Sequence, residues 1–235
     1  MRCELKALID WNSVLTDEFP LAPKDLMEKG LVKKKEYGDQ NRSLAGFVHR
    51  TMKTELLRLN RPGRIEILGF GLGRDLGWIP SVIRHLGYRV AITDGSAVAC
   101  ANARQRLRHW RLLRRVEMRH LCVEEAWETG QIDEAEVVAY YGGQFIQVQD
   151  LDTMWAMLAH LGAFLALPGR AIYLLHARGE DNDSEEVRWG KSTPYFEDDL
   201  RAPLEEGLSG QVKIHVVEQH MYFHQKYSLL RIRAA

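Results

Sequence analysis

The chain has 235 residues, enough for one α/β domain with a substantial core, and its hydrophobic fraction of 46% is that of an ordinary globular protein. Lys plus Arg and Asp plus Glu each number 32, and this balance argues against a polyanion as the dominant partner. No secretory h-region and no membrane-length apolar run is found, so a soluble, cytoplasmic protein is expected.

Residues 1–62 precede the first core strand. Leu44, Phe47, Val48, Met52, Leu56 and Leu59 recur at helical spacing and predict an amphipathic helix over 42–60, ended by Arg61-Pro-Gly63. This region reads as a helical cap or lid, and residues 63–235 as the main domain.

From residue 64 the chain alternates strands with helices. Strands are predicted at 64–69, 88–93, 115–121, 135–141, 170–176, 211–222 and 226–233. Helices are predicted at about 74–86, 96–112, 149–166 and 195–207, with a short helical segment after 121. This alternation predicts a doubly wound, Rossmann-like α/β sheet of seven strands. Only a few residues around His224 and Gln225 separate the last two strands, so the last strand must run antiparallel.

Ile65–Leu68 runs into three alternating glycines, Gly69, Gly71 and Gly73, with a helix directly after them. A glycine loop between strand and helix lets a ligand approach backbone N–H groups. The second strand ends in Asp94, whose carboxylate can accept both hydroxyls of a ribose. Together these features predict a nucleoside-containing cofactor. The dinucleotide fingerprint G-x-G-x-x-G fails, because its third glycine position is Arg74. The spacing is G-x-G-x-G.

The stretch Leu68-Gly-Phe-Gly-Leu-Gly-Arg-Asp-Leu76, followed by Ile92-Thr-Asp-Gly-Ser96, resembles class I S-adenosylmethionine-dependent methyltransferases, in particular a subset reading G-x-G-x-G-R-D-L and then D-G-S. The resemblance covers residues 64–235 and implies the class I methyltransferase fold. It implies S-adenosyl-L-methionine as cofactor, held by Gly69, Gly71, Gly73, Asp94, Gly95 and Ser96. The family usually has an acid two residues before the first glycine. Here that position is Ile67, and strand alternation turns the adjacent Glu66 to the opposite face. At the third strand's end, His120-Leu-Cys-Val123 replaces the usual acid, leaving Cys122 or nearby backbone to meet the adenine.

Family members carry cofactor- and substrate-facing groups after the fourth strand, where this chain has Tyr140, Tyr141 and Gln144. The Asn/Asp-Pro-Pro-Tyr motif of amino-methyltransferases is absent. The resemblance makes Tyr140 a cofactor contact and Tyr141 a catalytic candidate. At the fifth strand's end, His176 is a candidate base, and Arg178 a fork for a substrate carboxylate. Tyr37, Asp39, Arg42 and His49 lie where relatives often fold a lid over the cofactor, and Tyr37, Arg42 and His49 are the substrate candidates.

Cys3, Cys100 and Cys122 form neither a metal motif nor a disulfide framework, which fits a reducing compartment. His215, His220 and His224 lie near the last hairpin, and no metal is expected there. Arg104, Arg106, Arg108, Arg111, Arg114 and Arg115 cluster on and after one helix. A solvated helix face is the expected reading of that run, with a nucleic-acid patch as the alternative. The expected function is methyl transfer to an O, N or S nucleophile of a small polar molecule. Neither membrane nor nucleic acid is expected as a partner, and homodimerisation stays open. Two other classes remain: a non-catalytic binding subunit with this fold, and a nicotinamide-dependent oxidoreductase.

Overall fold

The computed structural model describes residues 34–59, 63–71, 74–132, 134–140, 151–179, 197–222 and 225–235. Seven strands form one sheet: β1 (Arg64–Leu68), β2 (Arg89–Asp94), β3 (Val116–His120), β4 (Val137–Tyr140), β5 (Ala171–Gly179), β6 (Val212–Tyr222) and β7 (Gln225–Ala234). Their order is β3-β2-β1-β4-β5-β7-β6. β7 pairs antiparallel with both β5 and β6, and the β1–β2, β1–β4, β2–β3 and β4–β5 pairs are parallel. The sheet is the expected one, with the antiparallel strand inserted between β5 and β6.

Helices cover both faces, as a parallel sheet requires. One face carries α1 (Lys34–Leu59), α2 (Ile79–His85) and α3 (Ala97–His109), which pack on Ile65, Ile67, Val90, Ile92 and Tyr173. A 3-10 turn, Arg74–Trp78, leads into α2. The other face carries α4 (Val123–Glu128), α5 (Leu151–Leu165) and α6 (Glu197–Leu208) over Leu68, Val138, Ile172, Leu174 and Leu230. None of the described helices is long and apolar enough to cross a membrane.

α1 starts at Lys34, earlier than the apolar pattern suggests. Its first turns are polar, so periodicity is silent there, and an Asp39–Arg42 ion pair one turn apart supports them. Leu44, Phe47, Val48, Met52 and Leu56 enter the same core as β1 and β2. The buried carboxylate of Glu55 accepts from Arg231 Nη1 at 2.7 Å and Tyr173 Oη at 3.4 Å, tying α1 to β7 and β5. Thr51 donates to Glu218 Oε2 at 2.6 Å, and Phe47 stacks on His220 with ring centroids 5.2 Å apart. Falling residue numbers on α1 thus meet rising numbers on β6. At 1.5 Å per residue α1 is about 39 Å long, so its first half overhangs the carboxyl ends of the strands.

His220 has its pKa lowered, first by burial and then by Arg50, with Glu218 opposing. The fold therefore favours neutral imidazole. That contribution is complete above the ordinary value near 6.5 and is lost as pH falls through the lower folded value. Glu218, lowered first by its Thr51 hydrogen bond, adds a second loss further down, below about its ordinary 4.5. His220 Nε2 has no hydrogen-bond partner among the described residues. His220→Phe should keep the stack on Phe47 and flatten the fall in melting temperature just below pH 6.5. An unchanged pH profile in that variant would remove the assignment.

α5 and α6 cross at backbone contact. A Cβ added to Gly207 would lie 2.1 Å from the Ala159 carbonyl oxygen, and one on Gly162 would lie 2.4 Å from that of Leu204. Gly207→Ala must push the helices apart and should cost about 1–3 kcal/mol. Thermal unfolding that shows no drop in melting temperature would contradict this contact.

Candidate functional site

The glycine loop leaves β1 at the carboxyl edge of the sheet, where ligands bind in open α/β folds. Gly69 and Gly71 have φ of 61° and 53°, a left-handed backbone that strongly favours glycine. Gly69 N–H donates to the Thr93 carbonyl at 2.9 Å, which anchors the loop to β2. A Cβ built on Gly69 meets no atom within 4 Å, so the space over this turn is open. Gly73 lies outside the described residues.

Asp94 closes β2 and is 6% exposed. Its Oδ2 accepts from Gly71 N–H at 2.8 Å and its Oδ1 from Ser96 N–H at 2.9 Å. Burial pushes its pKa up, while the hydrogen bonds from Ser96, Gly71 and Phe70 and the nearby His120 hold it down. Each carboxylate oxygen has a second lone pair, so hydrogen bonds to a diol remain available. Ser96 also caps α3, its Oγ accepting from Ala99 N–H at 3.2 Å. Gly95, between them, is half-buried. One acid and one hydroxyl thus fasten the glycine loop, the β2 tip and the start of α3 together.

At the end of β3 the sequence points to Cys122, and the structure adds His120. Its Nε2 lies 3.1 Å from the Gly95 carbonyl, on the strand position paired with Asp94. A histidine ending an edge strand gives no sequence signal; only the register of β2 with β3 brings it to the loop. Cys122 is the N-cap of α4 and partly exposed, with no side-chain capping bond. The buried Cys100 thiol donates to the Asp94 carbonyl at 3.6 Å. Burial and the Asp94 charge push it up to about 11, which makes it a poor nucleophile.

Glu66 faces away from this loop, as alternation predicts. β1 stays in unbroken register with β2 and β4, so no bulge turns the carboxylate toward the cofactor side. It is fully buried on the opposite face, accepting from Thr93 Oγ1 at 2.7 Å and Arg119 Nη1 at 3.1 Å. Burial raises its pKa, and Thr93, Arg119 and Arg64 hold it down. Ile67, on the cofactor-side face, belongs to the apolar core.

Tyr140 ends β4 in register with Leu68 and Leu174. Tyr141 and Gln144 lie outside the described residues. β5 is longer than the sequence suggests, running to Gly179, so that Arg178 lies within it along with His176; they pair with Lys226 and Ser228 of β7. Being two residues apart, they sit on one sheet face. β5 overruns the last paired residue of β4, so both positions stand beyond the level of Tyr140. The antiparallel β7 ladder is what extends β5, and periodicity in β5 alone does not reveal it.

Tyr37 and Arg42 lie in the overhanging half of α1, where Arg42 is exposed and paired with Asp39. His49 sits lower, half-buried, with Nε2 3.4 Å from Ser81 Oγ of α2. It belongs to the α1–α2 contact. Among the described residues no group of three or more His, Cys, Asp or Glu could hold a metal; His224 lies outside them.

The sequence matches no protein-family model and no curated protein. Its fold matches solved methyltransferase structures. One is the N-terminal domain of EvdMO1 with SAH bound, at TM-score 0.55 and 17% identity, covering 80% of this chain and 81% of that one. Another is an S-adenosylmethionine-dependent methyltransferase from Geobacter sulfurreducens in complex with S-adenosyl-L-homocysteine, at TM-score 0.51 and 16% identity, covering 84% and 91%. A third is the N,N-8-amino-8-demethyl-D-riboflavin dimethyltransferase from Streptomyces davawensis, at TM-score 0.58 and 15% identity, covering 90% and 59%. The chain has the class I methyltransferase fold, a Rossmann-like sheet with its last strand antiparallel.

Proposed function

We propose that this protein is an S-adenosylmethionine-dependent methyltransferase of the G-x-G-x-G-R-D-L subset, acting on an O, N or S nucleophile of a small polar molecule. The observation that carries the reading is Asp94: a buried carboxylate at the β2 tip, latched to Gly71 N–H beneath an open turn. These residues fit the cofactor. Asp94 offers free lone pairs to the ribose hydroxyls, Gly69 and Gly71 allow close approach to the backbone, and Gly95, Ser96, Cys122 and Tyr140 border the adenosine end. The bound cofactor supplies an electrophilic methyl on a sulfonium. Structural neighbours holding S-adenosylhomocysteine support this assignment.

The chain's own work is alignment and desolvation, which can supply most of the rate when the nucleophile lies in line about 3–3.5 Å from the carbon. In this reading residues 1–62 form the lid, with Tyr37 and Arg42 toward the substrate, and the protein is cytoplasmic with reduced thiols. Tyr141 and His176 act at the acceptor atom, and Arg178 holds a substrate carboxylate. His176→Ala is expected to lower kcat by about 10²-fold if it takes a proton from the acceptor. Arg178→Ala is expected to raise KM with little change in kcat, because a docking charge binds ground and transition states alike. Near-wild-type kinetics in both variants would move the acceptor site to the lid.

A second reading, a binding subunit that keeps the fold, draws on Glu66. That carboxylate is committed to Arg119 and is turned away from the cofactor loop. Calorimetric titration with S-adenosylmethionine, S-adenosylhomocysteine and NADH tests the cofactor assignment. Micromolar binding of the first two, without NADH, is expected, along with a raised melting temperature. NADH binding alone would overturn it. Methylation of any acceptor excludes the binding-subunit reading.

A further inference from the structure

We propose that the arginine-rich end of α3, with the turn that follows it, is a docking surface for the phosphate backbone of duplex DNA. Residues 104–115 contain six arginines and no acid in a chain with no net charge. Arg104, Arg108, Arg111, Arg114 and Arg115 are exposed, and none pairs with a carboxylate among the described residues. Arg84 joins them from α2, its Nη2 donating to the Trp110 carbonyl at 2.7 Å. The positive charge is therefore concentrated at the end of α3 and the turn after it.

The dipole at a helix C-terminus explains cations in the last turn of α3, but not those beyond it. Arg111 follows the C-cap Trp110 with φ of 58°. Leu112 N–H returns to the Leu107 carbonyl at 2.8 Å, so this is the position where a helix-ending turn calls for glycine. An arginine here holds a strained backbone that glycine would relieve. In this proposal the arginine is kept at that position for its contact with phosphate.

Guanidinium forks match phosphate oxygens in two-point contacts, and the run uses arginine throughout, never lysine. Arg104 and Arg108 fall on one helix face, about 6 Å apart along the axis, and Arg111 follows in the turn beyond the helix end. Leu113 is the one apolar side chain exposed on the patch, too little for insertion into a bilayer. Trp110 packs against the core, so no stacking platform for single strands is offered. Duplex RNA recognition adds 2′-hydroxyl contacts to those with phosphate, and the run offers only Gln105 and His109 as neutral polar side chains for them. α3 begins next to Asp94 and ends just before β3 starts, so the patch lies at the edge of the sheet opposite the glycine loop. The surface tethers the protein and is independent of the methyl-transfer reading.

The test is fluorescence anisotropy of the full chain with a labelled 20-base-pair DNA duplex between 50 and 200 mM NaCl. A log–log salt slope of about −4.5 to −5.5 is expected for five or six phosphate contacts. Arg111→Gly should weaken binding several-fold and make the slope shallower by about 1, while its melting temperature equals or exceeds wild type. Arg114→Gln/Arg115→Gln should take about 2 from the slope without unfolding the protein. A wild-type slope shallower than about −2, or wild-type binding in both variants, overturns the proposal. Tighter binding to a duplex RNA of the same sequence, or to phosphatidylserine vesicles in place of DNA, overturns it as well.

Discussion

Replacing Glu66 with alanine is expected to cost about 3–5 kcal/mol, because it strands a buried cation. Glu66 is fully buried between Thr93 Oγ1 and Arg119 Nη1, with Arg64 Nη2 at 3.9 Å. The three pairing residues come from adjacent strands, so the network crosses β1, β2 and β3 on one face. Arg119 keeps Glu117, at 2.8 Å from its Nη2, but that carboxylate is half exposed and screened. At about 2–4 °C per kcal/mol, the melting temperature should fall by roughly 6–20 °C. The paired replacement Glu66→Leu/Arg119→Met should recover most of that loss, since removing both charges removes the desolvation cost as well. It should also leave cofactor affinity unchanged, because Glu66 faces away from the glycine loop. A double variant that is as unstable as the single one would show that the network is held by something other than charge pairing.

Asp94→Ala is expected to weaken binding of S-adenosylhomocysteine by about 1.5–3 kcal/mol, roughly ten- to more than hundred-fold. Two losses combine. The ribose hydroxyls lose a charged acceptor, and Gly71 N–H and Ser96 N–H lose the carboxylate that fixes the loop. Asp94→Asn separates them, because an amide oxygen still accepts one of these hydrogen bonds while the charge is gone. It should fall between wild type and alanine. Calorimetry with the product nucleoside is the measurement, and unchanged affinity in Asp94→Ala would remove the ribose assignment. Gly71→Val should abolish binding with the sheet intact, since a β-branched residue tolerates neither the positive φ nor the close approach.

Much of this fold is local in origin. The buried, β-branched runs Ile65–Leu68 and Val90–Asp94 specify strands covered on both faces. The glycines that follow β1 require a turn only glycine adopts easily. The short link between the last two strands forces them antiparallel. Even the aim of Glu66 follows from alternation alone, because strand period leaves it no other face. What the sequence by itself determined is therefore the alternation of strands and helices, the antiparallel ending and the glycine turn after β1, each set by local pattern and spacing.

Other features depend on partners far away in the chain. Arg178 looks like a loop residue until β7 pairs with it and carries β5 onward. His120 reaches the Gly95 carbonyl only because β3 lies in register beside β2. His49 contacts Ser81 because α1 lies across α2, and Gly207 is glycine because α5 passes at backbone distance. α1 joins the sheet core through Glu55, Arg231 and Tyr173, residues with no shared local pattern. Periodicity reports which face of an element is buried, not which distant element buries it. Tertiary structure decided those contacts, because register between strands and crossing between helices are set by packing across the whole core.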